Sequence, residues 1–400
     1  MTDLVVRNCS EVVTCDPSCG VVESGAVAIT DGRVTWVGPD GEAPVALEEL
    51  DAAGRAVVPG LVDAHTHLVF AGERREEFAA RASGRPYEAG GILTTVDATN
   101  AATDDDLLEG VLRRLDHLLA HGTTTVEAKS GYALTTEGER RLLQLLAEAD
   151  RRHPVNLEIT FCGAHAVPPG TDPDAFVEGV AEEMTPVCAP LARWVDVFCD
   201  QGAFTAEQSR RVLRAGREHG LEVRIHANEL ADSGGVELAC ELAAASADHL
   251  LFVLPEQASA MAAAGVTGVL CPVTALSLGR FPDARMMREA GMTLALGSDL
   301  NPGMAPDAHL QLAIAIAVRT IGMDPTQALA AATAGAAASL RRPDIGRLIP
   351  GSRADLVILA SDSHLSLGYE AGANLADVVV CGGVVAEGSP RPDLGRTPRL

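Results

Sequence analysis

The chain has little positive charge and is especially poor in lysine. Lys129 is the only lysine among 31 basic residues, against 55 Asp and Glu, and the formal net charge is −24. A chain with this balance lacks the basic surface that nucleic acids and anionic membranes attract, so we expect neither as a partner. An anionic small molecule remains compatible with it, because such a ligand responds to the local field of its site.

Long apolar runs and paired cysteines are absent as well. No stretch of 18 apolar residues suggests a membrane helix, and the first residues do not form a charged start followed by an apolar run. The nine cysteines are scattered singly, and the close pair Cys15 and Cys19 does not have the Cys-x-x-Cys spacing. We therefore expect reduced thiols and a cytoplasmic protein.

The middle of the chain alternates short apolar runs with amphipathic segments of helical period. Helices are predicted for Asp104–His121, Glu137–Arg151, Glu207–Glu218 and Pro255–Ala264. Eight strands that alternate with helices predict an α/β fold of the (β/α)₈ TIM-barrel type. The predicted strands are Leu61–His67, Thr123–Ala128, Leu157–Ala164, Trp194–Cys199, Glu222–His226, Ala245–Leu250, Thr267–Pro272 and Thr293–Asp299.

The two ends of the chain resemble each other and differ from the middle. Short strand-like segments separated by turn residues precede Pro59, and similar segments return after an Ala-rich helix predicted over Pro325–Leu340. We therefore expect a small β-sandwich domain made of residues 1–57 and 346–400, beside a catalytic barrel made of residues 58–345.

Ionisable side chains follow the apolar runs at the end of the barrel where such folds carry their active sites. Taken singly, each has an ordinary explanation as a core histidine, a loop residue or a helix cap, and an isolated His-x-His is a metal site about as often as not. Their recurrence at the same end of separate strands is not explained by core packing. The ionisable residues of the set are His65, His67, Glu127, Lys129, His165, His226, Glu229, His249 and Asp299, and the polar Asn301 follows Asp299 at the end of the eighth strand.

Three histidines and one carboxylate suit Zn²⁺ or an iron ion better than Mg²⁺ or Ca²⁺, which prefer oxygen ligands. A metal with an open position lowers the pKa of a water molecule towards about 7 and so supplies a nucleophile at neutral pH. Asp299 is placed to accept the proton of that water, and His249 to polarise the carbonyl under attack.

These residues resemble the amidohydrolase superfamily in their order and in their strand positions. Within it the chain is similar to the imidazolonepropionase family over essentially its whole length. The stretches that carry the likeness are residues 65–74 (HTHLVFAGER), 129–132 (KSGY), 164–168 (AHAVP), 196–199 (DVFC), 226–229 (HANE), 247–250 (ADHL) and 298–303 (SDLNPG).

The resemblance implies one Zn²⁺ or Fe²⁺/Fe³⁺ ion per chain and a homodimer. It implies hydrolysis of the ring C–N bond of 4-imidazolone-5-propanoate to N-formimidoyl-L-glutamate, a step of histidine degradation. The implied metal ligands are His65, His67, His226 and Asp299; the implied catalytic residues are His249, Asp299 and Glu229; the implied substrate contacts are Arg74, Tyr132, His165, Glu229 and Asn301. Arg74 also suits the propanoate on physical grounds, since a guanidinium binds a carboxylate through two hydrogen bonds.

Three departures from the family pattern bear on substrate choice and leave the metal ligands untouched. Asn228 replaces a usual Asp, Asn100 replaces a common Arg, and the segment 81–92 is shorter by a few residues. One alternative is a related amidohydrolase or deaminase that acts on another anionic heterocycle or on a formimino compound. A barrel without activity, kept as a scaffold, is the other. A two-metal site bridged by a carboxylated lysine is disfavoured, because Lys129 ends the second strand and such a bridge belongs to the fourth.

Overall fold

The computed structural model describes residues 2–83 and 91–386, with the side chains of residues 81 and 82 left out. Most of the shortened segment predicted at 81–92, and the end of the chain after residue 386, lie outside these ranges. Seven strands precede the barrel: β1 Thr2–Arg7, β2 Glu11–Val13, β3 Val21–Glu23, β4 Gly25–Thr30, β5 Arg33–Pro39, β6 Ala46–Asp51 and β7 Val57–Pro59.

Eight parallel strands follow in one sheet, in sequence order, and confirm the predicted fold class. They are β8 Leu61–Asp63, β9 Thr123–Lys129, β10 Asn156–Ala164, β11 Trp194–Cys199, β12 Glu222–Ala227, β13 Ser246–His249, β14 Thr267–Leu270 and β15 Leu294–Leu296. The chain beyond β15 pairs with the chain beyond β8, with Thr66 bridged to Leu300, and this pairing brings the two ends of the sheet together.

Three further strands, β16 Leu356–Leu359, β17 Ala376–Cys381 and β18 Val384–Val385, join the first seven. One sheet has the order β5-β4-β1-β6, and the other has the order β18-β17-β16-β7-β2-β3. Antiparallel pairing of β16 with β7 therefore joins the C-terminal strands to the N-terminal ones. Leu4, Val27, Leu356 and Val380 belong to an apolar cluster distinct from that of the barrel. The domain limits at 58 and 345 stay a prediction.

Helices cover the outside of the barrel, and the four helices predicted in the middle of the chain are confirmed to within one residue at each end. The helices are α1 Arg75–Ala82, α2 Ile92–Ala101, α3 Asp104–Ala120, α4 Thr136–Arg152, α5 Pro173–Gly179, α6 Thr185–Cys188, α7 Ala206–Glu218, α8 Gly235–Glu241, α9 Pro255–Ala264, α10 Pro272–Leu278, α11 Ala284–Glu289, α12 Leu310–Thr320, α13 Pro325–Ala330, α14 Ala336–Ser339 and α15 Ser366–Tyr369. Within the described ranges, none of these helices has the length and apolar character needed to cross a membrane.

Several predicted boundaries were wrong. The predicted strand Leu61–His67 ends at Asp63, and the predicted strand Thr293–Asp299 ends at Leu296. Both continuations are as buried as the strands themselves although most of their residues are polar, so burial does not mark the point where the regular ladder stops. The helix predicted over Pro325–Leu340 contains a π-helical turn at Ala331–Gly335. The short strands β2, β3 and β6 were not predicted.

Candidate metal centre and active site

The four predicted metal ligands meet at the carboxyl end of the barrel. His65 and His67 follow β8, His226 lies in β12, and one ring nitrogen from each lies within 4.8 Å of the others. The Oδ1 atom of Asp299 lies 3.7 Å from Nε2 of His65 and 3.8 Å from Nε2 of His67. His65 and His67 were predicted to lie on the first barrel strand, but they follow its end. The bridge between Thr66 and Leu300 keeps their segment extended beside the sheet.

Two buried carboxylates orient two of these imidazoles. Oδ2 of Asp248 lies 2.7 Å from Nδ1 of His65, and Oδ1 of Asp196 lies 3.1 Å from Nδ1 of His226. A ring that donates its Nδ1–H to a carboxylate keeps the lone pair of Nε2 for a metal. Within the described part of the chain, Nε2 of His65 is buried without a hydrogen-bond partner.

Burial also favours the neutral form of His65 and His67. It lowers the pKa of His65 and of His67 well below the ordinary value of 6.5. A neutral imidazole offers the lone pair that a metal needs, whereas an imidazolium does not. The donor set and the orphaned Nε2 atom therefore fit a cation of the Zn²⁺ or iron type.

A layer of buried charges lies beneath this set and was not assigned a role from the sequence. Nζ of Lys129 lies 2.8 Å from Oε1 of Glu127 and 2.8 Å from Oδ2 of Asp196. Nη2 of Arg224 lies 3.4 Å from Oδ2 of Asp248. All these side chains are fully buried, and a buried charge is costly unless it has a partner. The two carboxylates that contact ligand histidines have such partners: Asp196 pairs with Lys129, and Asp248 pairs with Arg224.

A signal for this layer was present in the sequence. Asp196 and Arg224 interrupt buried strands as Val-Asp-Val and Val-Arg-Ile, where an unpaired charge is too costly to be kept. Asp63 is a third charged residue in a buried strand, β8. Its Oδ1 accepts a hydrogen bond from the backbone N–H of Ser298, and burial raises its pKa to about 7.

One cavity is lined by all the metal ligands, catalytic residues and substrate contacts that the family resemblance implies, except His65. His67, Arg74, Tyr132, His165, His226, Glu229, His249, Asp299 and Asn301 all line it, together with Ile92, Phe198 and Met304. The ring of His65 lies 4.5 Å from that of His226 and 5.0 Å from that of His249.

The positions of His249 and Asp299 depend on unusual backbone geometry. Both adopt positive φ, of 78° and 51°. Residues other than glycine rarely adopt this conformation, and it tends to be retained where function requires it. Burial raises the pKa of Asp299 to about 6 and lowers that of His249 well below 6.5.

The predicted substrate contacts sit on the wall of the cavity. The ring of His165 stacks on that of His67 at a centroid distance of 4.8 Å, and the ring of Tyr132 lies 5.1 Å from that of His165. Oε2 of Glu229 lies 3.9 Å from Nε2 of His249, and burial raises the pKa of Glu229 well above 4.5.

Arg74 lines the cavity and forms an ion pair with Glu77. Its Nε and Nη2 atoms each lie 2.7 Å from the carboxylate of Glu77. A Cβ atom on Gly303 would lie 2.5 Å from Nη1 of Arg74, and one on Gly91 would lie 2.1 Å from Oε2 of Glu77. The ion pair is therefore packed against two glycines, and a larger residue at either position would displace the guanidinium or the carboxylate.

Asn301 and the two described departures have structural partners. Oδ1 of Asn301 accepts hydrogen bonds from the backbone N–H groups of Gly303 and Met304, and so shapes the loop that packs on Arg74. Nδ2 of Asn100 donates to the backbone carbonyl of Ala133, beside Tyr132, and Nδ2 of Asn228 donates to Asp232.

Comparisons with known proteins agree with this arrangement. Residues 56–386 match the model of the amidohydrolase family. The imidazolonepropionase of Mycolicibacterium smegmatis is 48% identical over 393 residues, which cover 96% of this chain and 98% of that protein. That of Streptomyces griseus is 48% identical over 95% of this chain and 98% of its own length. The chain belongs to the imidazolonepropionase family of amidohydrolases.

A solved structure shows the same fold at low identity. A zinc-bound adenosine deaminase from Xanthomonas campestris superposes with a TM-score of 0.74 at 21% identity, over 96% of this chain and 92% of its own. At that identity the likeness extends to the fold alone. Membership in the amidohydrolase family, together with the donor set at the barrel mouth, assigns a metal cofactor to this chain.

Proposed function

We propose that the protein hydrolyses 4-imidazolone-5-propanoate to N-formimidoyl-L-glutamate, a reaction of histidine degradation. The observation that carries this proposal is one cavity at which the four proposed metal ligands, three histidines and Asp299, lie beside the buried Arg74. A metal held by these ligands suits hydrolysis of an amide bond, and Arg74 suits a substrate with a carboxylate tail.

His65, His67, His226 and Asp299 would hold one Zn²⁺ or Fe²⁺/Fe³⁺ ion. Such an ion supplies a water molecule whose pKa is lowered towards about 7 and which can attack a carbonyl carbon at neutral pH. Metal analysis of the purified protein tests this: about one ion per chain supports it, and two ions per chain contradict it.

Asp299 would receive the proton of the attacking water. Burial raises the pKa of Asp299 to about 6 in the absence of a metal, and a carboxylate raised in this way is a better base for a proton released as oxygen adds to the ring carbonyl. When the ring C–N bond breaks, the departing nitrogen needs a proton, and the protonated Asp299 can return it.

His249 and Glu229 would act on the ring itself. A neutral His249 can donate one N–H to the carbonyl oxygen as negative charge develops there. Glu229, whose raised pKa favours the protonated carboxyl, can donate to a ring nitrogen or to the attacking water.

Arg74 would bind the propanoate, with Tyr132 and His165 packed beside the ring. In a chain with a net charge of −24, a local cation at the cavity is what an anionic substrate requires. A neutral nucleobase would gain nothing from it.

A direct assay tests the whole proposal. Freshly made imidazolone propanoate is offered to the purified protein, and formimidoyl-glutamate is sought as the product. The matched substrate is the same imidazolone ring without the propanoate, which should react with a much lower kcat/KM. Equal rates on both rings would favour a related amidohydrolase or deaminase with another substrate, and no turnover by metal-loaded protein would favour a scaffold.

The remaining expectations stay proposals. All nine cysteines lie in the described ranges and are unpaired there, which supports a reducing compartment such as the cytoplasm. A homodimer is proposed from the family resemblance, and the molar mass in solution tests it.

A further inference from the structure

A buried thiol lies close to the four proposed metal ligands, His65, His67, His226 and Asp299. It comes from a part of the barrel that supplies none of them. Cys271 directly follows β14, the seventh strand of the barrel, and only 1% of it is exposed. Its Sγ atom, a ring nitrogen of His65 and a ring nitrogen of His249 all lie within 4.8 Å of one another. A second set of three potential ligands therefore shares His65 with the first.

The second set differs from the first in its chemistry. Two imidazoles and one sulfur favour thiophilic ions such as Zn²⁺ and Cd²⁺, and disfavour Mg²⁺ and Ca²⁺. Three protein ligands with a fourth position left for water are a common arrangement for Zn²⁺. The first set offers nitrogen and oxygen only.

The two sets cannot both be complete at the same time. Asp248 occupies Nδ1 of His65, so Nε2 is the atom that remains for a cation. That atom has one lone pair and can bind one ion. An ion held by Cys271 and His249 would therefore take His65 away from His67, His226 and Asp299.

We propose that His65, His249 and Cys271 form a second, overlapping site for a thiophilic divalent cation, and that its occupation inhibits the enzyme. Binding forms a metal–sulfur bond as the S–H bond breaks, the proton passes to solvent, and no group is oxidised or reduced. The inhibitory part rests on the proposed function, because it removes both His65 and His249 from the reaction. The binding part does not depend on any substrate.

Cadmium titration of the enzyme tests the site. A bond between Cd²⁺ and a thiolate gives an ultraviolet charge-transfer band, which imidazole and carboxylate ligands do not give. The protein carries Cys19→Ser throughout, because Cys19 is exposed and would bind cadmium by itself. Cys271→Ser is compared with Cys188→Ser, which removes an equally buried thiol from α6 that belongs to neither set of potential ligands.

We expect the band with the parent and with Cys188→Ser, and its loss with Cys271→Ser. The cadmium concentration for half-inhibition, relative to each variant's own cadmium-free rate, should rise at least about tenfold in Cys271→Ser. An equal band in the Cys271→Ser variant would overturn the site, and loss of the band with unchanged inhibition would overturn the inhibitory role.

Two further measurements do not depend on the folding of that one variant. Cys271→Ala removes the sulfur without adding a hydroxyl and should behave alike. X-ray absorption at the cadmium edge, on the Cys19→Ser parent, should find one sulfur ligand per ion, and a shell of nitrogen and oxygen alone would refute the proposal. A protein that binds cadmium through sulfur but does not act on imidazolone propanoate would refute only the proposed function.

Discussion

Replacement of Arg74 by alanine should weaken substrate binding far more than it slows the reaction. Hydrogen bonds between a guanidinium and a carboxylate contribute about 1.5–3 kcal/mol. At about 1.4 kcal/mol per factor of ten, KM for imidazolone propanoate should rise roughly 10- to 100-fold. The propanoate is bound in the ground state and in the transition state alike, so kcat should change much less.

The packing of the Arg74–Glu77 pair gives a second variant that leaves the charge in place. In Gly303→Ala the new methyl group would lie 2.5 Å from Nη1 and 2.8 Å from Cζ of Arg74, so the guanidinium has to move. We expect KM to rise in this variant as well, although the arginine is retained. Arg75→Ala is the matched control, because the Arg75 side chain is 78% exposed and pairs with Glu73.

The assay is steady-state kinetics on imidazolone propanoate, with thermal unfolding of each variant measured alongside. Loss of Arg74 removes its ion pair with the Glu77 carboxylate, so some loss of stability is expected. An unchanged KM in Arg74→Ala would show that Arg74 does not bind the substrate. A rise of the same size in Arg75→Ala would show that general charge, and not the position of Arg74, attracts the substrate.

Three further changes test the centre itself. Asp248→Asn should lower metal affinity roughly 10- to 100-fold, because it disturbs the group that orients His65; competition with a chelator measures this, and unchanged affinity would contradict it. His249→Ala and Asp299→Asn should each abolish turnover while the circular dichroism spectrum is retained; normal rates in either would refute its role. Asp63 has a folded-state pKa of about 7 against 3.8 in the unfolded chain, so its ionisation opposes folding, and its own contribution to the free energy of unfolding of metal-free protein should fall between pH 4 and pH 7. The lowered pKa values of His65, His67 and His249 act in the opposite direction, so the test is the difference between parent and Asp63→Asn in urea unfolding: the variant should gain stability relative to the parent as the pH rises, and a constant difference would contradict this role of Asp63.

The sequence was informative about the barrel because burial imposes a pattern that is local. A parallel strand covered on both faces reads as a short apolar run, and a helix on the outside of the barrel reads as an apolar stripe. The helix Pro255–Ala264 and the strand Trp194–Cys199 were predicted residue for residue.

Where neighbours in space decide the structure, the prediction was wrong or missing. The strand predicted over Leu61–His67 ends early, because its second half pairs with the chain after β15 in an irregular extended segment. The strand β6 was missed, because its Leu-Glu-Glu-Leu sequence is largely exposed and is held by parallel pairing with β1.

The sequence by itself determined which chemistry the protein can support. Histidines, carboxylates and an arginine recur after successive apolar runs, and parallel strands bring their ends to one face whatever the details of packing. Only the tertiary structure decided how these groups are held. Asp196, Asp248, Lys129 and Arg224 come from separate strands, and the guanidinium of Arg74 packs against Gly303, which is far from it in sequence. The Cys271 thiol likewise acquires two imidazole neighbours only when the barrel closes, because distances between side chains on different strands are set by the fold and leave no local trace in the sequence.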